Sequence, residues 1–208
     1  QLGALDPAVA GPLTDAGATV HHAVRRLAPR VHDDGTVVVL GVGGLGAFAV
    51  QLVRALTPAR VVAVDPNPAR RSLAVDLGAH HVVDGVDDRT GTALRDLLGV
   101  DPVDAVIDLV GADDTIALAV STVAAGGAVA VVGAAGGTLR RPWYGTLPRD
   151  GEVFTFQGSD LADTRAVLDL AADGRLRVDV DPFPLSAVTE AYAAMEGGRL
   201  LGRAVVRP

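Results

Sequence analysis

The chain has 208 residues, 49% of them hydrophobic, and a net charge of −7; that length suits one domain, or one domain with an appendage, burying roughly 70% of what the unfolded chain would expose. Its 18 basic residues are all Arg and are scattered, which excludes the clustered positive face of a nucleic-acid binder, and its apolar runs fall far short of the ~20 residues that cross a bilayer. Cys is absent, which excludes disulfides, thiolate metal ligands and a thiol nucleophile from these residues and fits a cytoplasmic setting.

The first predicted element is a helix over Thr14–Leu27. From Thr36 onward short β-branched runs alternate with Ala/Leu-rich stretches at helical spacing. The strands are Thr36–Leu40, Val61–Asp65, His80–Val83, Val103–Leu109 and Ala128–Val132, and the helices between them are Leu45–Leu56, Pro68–Leu77, Thr90–Leu98 and Asp113–Ala124. Gly78, Gly99 and Gly126 stand where three of these helices need C-terminal caps. A sixth strand over Glu152–Phe156 completes the sheet, followed by helices Leu161–Ala172 and Ser186–Glu196 and a last strand Ala204–Val206. Such alternation implies parallel strands joined by right-handed crossovers, with both sheet faces covered. The fold class is α/β, a doubly wound six-stranded parallel sheet.

The first strand runs directly into Gly41-Val42-Gly43-Gly44-Leu45-Gly46. In this G-x-G-x-x-G pattern the first glycine turns the chain, the second lets a pyrophosphate approach the backbone, and the third lets helix pack on strand. The helix that follows aims free N–H groups and its positive dipole end at phosphate. The second strand ends at Asp65, 24 residues after Gly41, where a carboxylate accepts from the adenosine ribose hydroxyls and repels a 2′-phosphate. The combination predicts a Rossmann site that prefers NAD to NADP. Arg70 reads either as a ribose or phosphate contact or as a solvated helix charge.

The chain resembles the medium-chain, zinc-type alcohol dehydrogenases. The resemblance is carried by Pro12-Leu13-Thr14-Asp15-Ala16-Gly17-Ala18-Thr19, the glycine loop, Val61–Asp65, Leu77-Gly78-Ala79, Val106–Gly111 and Gly202–Val206, in family order. It is nearest to bacterial secondary-alcohol dehydrogenases in which Asp replaces a zinc-binding Cys. It implies hydride transfer between an alcohol and its ketone or aldehyde at a catalytic zinc, with NAD as cofactor and a homodimer or homotetramer as the assembly. It places Asp15 as the third zinc ligand, where bare sequence offers Thr14 or Asp15 as a helix cap. Thr19 falls beside the nicotinamide, or is a buried Thr bonded to its own helix. Val110, Gly111, Val132, Gly133 and Ala134 fall at the nicotinamide end, and Arg203 at the pyrophosphate.

The resemblance also implies what these residues do not supply. An N-terminal GroES-like catalytic domain would carry the remaining zinc ligands, so residues 1–16 and 158–208 read as its partial ends and 17–157 as the NAD-binding domain. The sole Met is Met195, and the chain reads as a fragment or a processed form. A zinc-free quinone or enoyl reductase and a non-catalytic NAD-binding module are the alternative readings. His21 and His22 read as packing or surface residues, and Trp143 and Tyr144 as lining of a substrate pocket or an interface, or as a surface-loop anchor.

Overall fold

The computed structural model describes residues 2, 5–87, 89–99, 103–142 and 144–208. A helical stretch opens the chain: α1 (Pro7–Pro12), a wide π-type turn (Leu13–Gly17) and α2 (Ala18–Leu27). It starts seven residues earlier than the sequence pattern predicts, with Asp6 as its N-cap accepting from the Ala8 amide. Pro12 lies inside it; proline has no N–H for the helical ladder and crowds the preceding turn, and a widened turn follows.

The strands β1 (Thr36–Leu40), β2 (Arg60–Val64), β3 (His81–Val83), β4 (Val103–Asp108), β5 (Val123–Val131) and β6 (Glu152–Thr155) form one sheet in the order β3-β2-β1-β4-β5-β6. Every neighbouring pair is parallel. This is the doubly wound Rossmann order, in which the order of strand addition reverses between β1 and β4 and leaves a crevice at their carboxyl ends. The connecting helices are α3 (Gly46–Leu56), α4 (Pro68–Asp76), α5 (Thr90–Leu98) and α6 (Asp113–Thr122).

Period-2 alternation feeds two cores. Val37 and Val39 of β1 join Val61, Ala63, Ala105 and Ile107 under α2 and α3, with Val24, Leu27, Leu52 and Val53. Val38 and Leu40 face the other way, with Val62, Val64 and Val106 against Leu94, Leu98 and Ala119. Both faces are buried, as a parallel sheet requires.

One boundary departs from expectation. α6 stops at Thr122, and Val123 pairs with Val103, so the sheet ladder captures residues that their Ala content assigned to helix. Gly126, at φ +81°, therefore lies within β5 beside a register shift rather than capping a helix. Gly78 and Gly99 do follow helix ends with positive φ.

After β6 come α7 (Leu161–Ala172), β7 (Val180–Pro184), α8 (Val188–Glu196) and β8 (Arg203–Arg207). α7 packs on α2 and the wide turn, while β7 and β8 form a separate two-stranded parallel sheet against which α1 packs. Among the described residues no helix is long and apolar enough to cross a membrane.

Candidate nucleotide-binding site

The loop after β1 has the geometry its glycines require. Gly41 takes φ +87°, which only glycine adopts without strain, and its N–H donates to the Val64 carbonyl at 2.8 Å. A Cβ on Gly46 would stand 2.1 Å from the Gly41 carbonyl oxygen, so α3 meets the bend backbone to backbone. A Cβ on Gly43 would have no neighbour within 4 Å among the described residues: that face of the loop is open to them. Among the described residues no side chain caps the start of α3, whose first N–H groups make an anion seat.

A cleft of about 730 Å³ opens beside the loop. Gly41, Gly43, Gly44, Leu45 and Gly46 form one wall; Asp65, Pro66 and Arg70 form the far end; residues 84–87 and then Leu109, Val110 and Thr115 complete it. It lies at the carboxyl ends of β1, β2 and β4, the switch point of the sheet. The open loop face, the helix start and the acid at the end of β2 fit a dinucleotide.

Asp65 is 2% exposed. Its Oδ2 accepts from the Val42 amide at 2.8 Å and its Oδ1 from the Asn67 amide at 2.8 Å. A carboxylate offers about four acceptor sites, so two remain for other donors. Arg70 brings Nη1 to 4.0 Å from Asp65 Oδ2, and its buried Nε has no hydrogen-bond partner among the described residues.

Two supporting residues escaped the sequence reading. Arg71 donates through Nη1 to the Asp65 carbonyl and to Asp84 Oδ1, both at 2.7 Å, and so fixes two walls of the cleft to each other. Asp108, fully buried at the end of β4, accepts from the Val110 and Gly111 amides at 2.9 Å and from the Thr115 hydroxyl at 2.8 Å. The signal for Asp108 was a carboxylate closing an otherwise apolar buried strand; such a charge needs donors. Arg71 carried no signal beyond the Arg70-Arg71 pair.

Of the positions predicted for the nicotinamide end, the pyrophosphate Arg and the zinc ligand, Val110 lines the cleft itself. Val110 and Gly111 are bonded to the loop after β5, through Ala135 N–H to the Val110 carbonyl and Gly137 N–H to the Gly111 carbonyl, so Val132, Gly133 and Ala134 run beside them. Arg203 lies over Gly44, and its Nη2 donates to Asp15 Oδ2 at 3.0 Å. Asp15 sits on the wide turn with its side chain 76% exposed, and it caps no helix. It offers a metal a hard oxygen donor but stands apart from the one three-ligand grouping found among the described residues, His22, Asp160 and Asp163. Thr19, one turn on in α2, is half-buried. Trp143 lies outside the described residues, and Tyr144 is 81% exposed.

That grouping of His22, Asp160 and Asp163 is a helix clamp. Asp163 on α7 is fully buried and accepts from His21 Nδ1 at 2.7 Å and His22 Nδ1 at 2.8 Å on α2. Arg25 reaches both Asp160 and Asp163, at 3.0 Å and 3.1 Å, and occupies with its own positive charge the place a cation would take. Burial would raise the Asp163 pKa; the hydrogen bonds from His21, His22 and the Asp160 amide, with the Arg25 charge, outweigh it and hold the carboxyl far below its ordinary range. His80 has a similar structural part. Its Nδ1 accepts from the Val61 amide at 2.8 Å, and burial, with the nearby Arg54 charge, pushes its pKa down.

Comparison with known proteins places the site in context. Residues 44–173 match the family described as zinc-binding dehydrogenase. The chain is 31% identical to an alcohol dehydrogenase of Geobacillus stearothermophilus, over 98% of this chain and 58% of that protein. It is 29% identical to the D-arabinose 1-dehydrogenase (NADP(+)) of Saccharolobus solfataricus, over 100% of this chain and 60% of that one. The crystal structure of the alcohol dehydrogenase from Aeropyrum pernix superposes with a TM-score of 0.88 at 34% identity, covering 95% of this chain and 57% of the other. The chain thus spans about 60% of the length of the curated relatives it matches.

Proposed function

The chain belongs to the zinc-binding dehydrogenase family, and from that membership we propose that it is the cofactor-binding portion of an NAD-dependent, zinc-type alcohol dehydrogenase acting on secondary alcohols and their ketones. The observation that carries the reading is the open face at Gly43, set between the start of α3 and the buried carboxylate of Asp65.

In this reading the N–H groups around Gly43 and Gly44 hold the pyrophosphate. Asp65 turns its two remaining acceptor sites to the adenosine ribose, and Arg70 lies alongside. Val110, Gly111, Val132, Gly133 and Ala134 line the nicotinamide end. Asp108 fixes the backbone of Val110 and Gly111 through its carboxylate and that of Val132 and Gly133 through its carbonyl, so the reacting carbon would be aligned before substrate arrives. Thr19 is assigned to the same end. Asp15 gives one carboxylate ligand to a catalytic zinc whose other ligands come from outside these residues. When bound, zinc supplies Lewis-acid polarisation of the substrate oxygen, and NAD supplies the hydride acceptor.

Residues 1–16 and 158–208 are read as parts of the catalytic domain and 17–157 as the NAD-binding domain. Exposed Leu185, Tyr192 and Met195 support a face built to be covered. The edge strand β6 is read as the joint of a homodimer.

Titration of the chain with NADH, followed by nicotinamide fluorescence, tests the reading. Saturable binding is expected, competed by NAD and weaker for NADPH. No binding at millimolar NADH by a folded sample would overturn it. For the zinc assignment, metal content of the full-length protein is the measure: it should contain catalytic zinc whose occupancy falls on Asp15→Ala.

A further inference from the structure

Arg203 begins β8 and reaches two features at once. Its Nη2 donates to Asp15 Oδ2 at 3.0 Å. Its stem and its other nitrogen lie over the glycine loop: a Cβ on Gly44 would stand 2.7 Å from Arg203 Cδ and 3.1 Å from Nη1. Gly44 thus leaves room for an arginine side chain. One edge of the guanidinium holds a carboxylate while the other faces the loop.

Resting on the reading of that loop as a pyrophosphate seat, we infer that Asp15 is a positioning residue for nucleotide binding, its Oδ2 holding Arg203 over Gly44 with Nη1 presented to the diphosphate. A free arginine must be ordered when the ligand arrives, which costs affinity about two- to tenfold; one already held does not. The negative charge of Asp15 opposes an anion only weakly, since its side chain is 76% exposed and screening over ~8 Å at physiological salt damps it. The two carboxylate oxygens divide the work. Oδ2 takes the guanidinium, and Oδ1 stays available to a metal ion. A thiolate at this position offers a single donor atom.

The test is the NADH dissociation constant of the chain and of Asp15→Asn, Asp15→Cys, Arg203→Met and the Asp15→Asn/Arg203→Met pair, each checked for an unchanged thermal midpoint. Asp15→Asn and Asp15→Cys should each weaken NADH about two- to tenfold, although Asp15→Cys keeps a metal-binding side chain. Arg203→Met should weaken it at least as much, and adding Asp15→Asn to Arg203→Met should cost nothing more. Unchanged binding by Asp15→Asn would show that Arg203 needs no holding, and tighter binding that the carboxylate competes with the diphosphate; either overturns the inference. Additive losses overturn it as well, while leaving the nucleotide seat standing. Failure of the wild-type chain to bind NADH removes the seat and this inference together.

Discussion

The Asp65 carboxylate meets the Val42 amide at 2.8 Å, so the end of β2 is bonded to the bend that follows β1. The same carboxylate holds Asn67, the N-cap of α4. It therefore shapes the loop, besides the ribose contact proposed for it. A smaller neutral group removes both effects. Asp65→Ser should weaken NADH about tenfold or more, since a hydrogen bond to a charged group contributes about 1.5–3 kcal/mol. NADPH should lose far less, narrowing the ratio of the two dissociation constants. An unchanged ratio in paired fluorescence titrations would remove Asp65 from cofactor selection.

Two glycines of the loop, Gly43 and Gly46, should separate folding from binding when each is replaced by alanine. In Gly46→Ala the new Cβ meets the Gly41 carbonyl at 2.1 Å. Backbone must shift, at about 1–3 kcal/mol, and both the thermal midpoint and NADH affinity should fall. In Gly43→Ala the methyl enters open space. The midpoint should hold while NADH affinity drops, because the methyl occupies the approach to the loop. Equal effects on both properties in the two variants would contradict this division.

Asp163 predicts an acid limb of stability. Its folded pKa lies below the ordinary carboxylate value, so the ionised form is favoured by folding. The contribution is complete above about pH 4 and is lost as pH falls toward the folded value. Thermal midpoints measured from pH 7 down to pH 2 should therefore drop more steeply in the wild type than in Asp163→Asn. At neutral pH Asp163→Ala should cost about 3 kcal/mol, because it strips the acceptor from two histidines and an arginine between α2 and α7. A midpoint within one degree of wild type would show that the helices hold without the clamp.

Much of this architecture was legible in the residues because one physical pattern repeats. Strands such as β1, β2 and β4 are Val/Ile/Ala-rich apolar runs, the helices between them are 3.6-period stretches, and the glycine loop sits at the exit of the first strand. What escaped notice depends on residues brought together from afar. Asp163 and His21 are 142 positions apart, so His21 and His22 showed only as packing or surface groups. β7 went unread because Pro182 and Pro184 fall inside it, and proline argues against a strand except at an edge. In this two-stranded sheet each strand has only one partner. The α6–β5 boundary was misplaced because Ala-Ala-Gly-Gly carries no strand signal, and only Val103 across the sheet decides that Val123 belongs to the ladder.

The wide turn at Leu13–Gly17 fixes where Asp15 points. Each helical residue advances about 100° around the axis, and a π-type turn holds one more residue than an α-turn. Deleting one residue there and letting the stretch relax to ordinary winding would swing everything upstream of the lesion by about that angle relative to α2. Asp15 would then leave Arg203, although α2 and its buried face stayed in place. The orientation of that carboxylate is thus set by a single surplus residue in the winding, a point where insertions and deletions are tolerated far less than the exposed side chains nearby suggest.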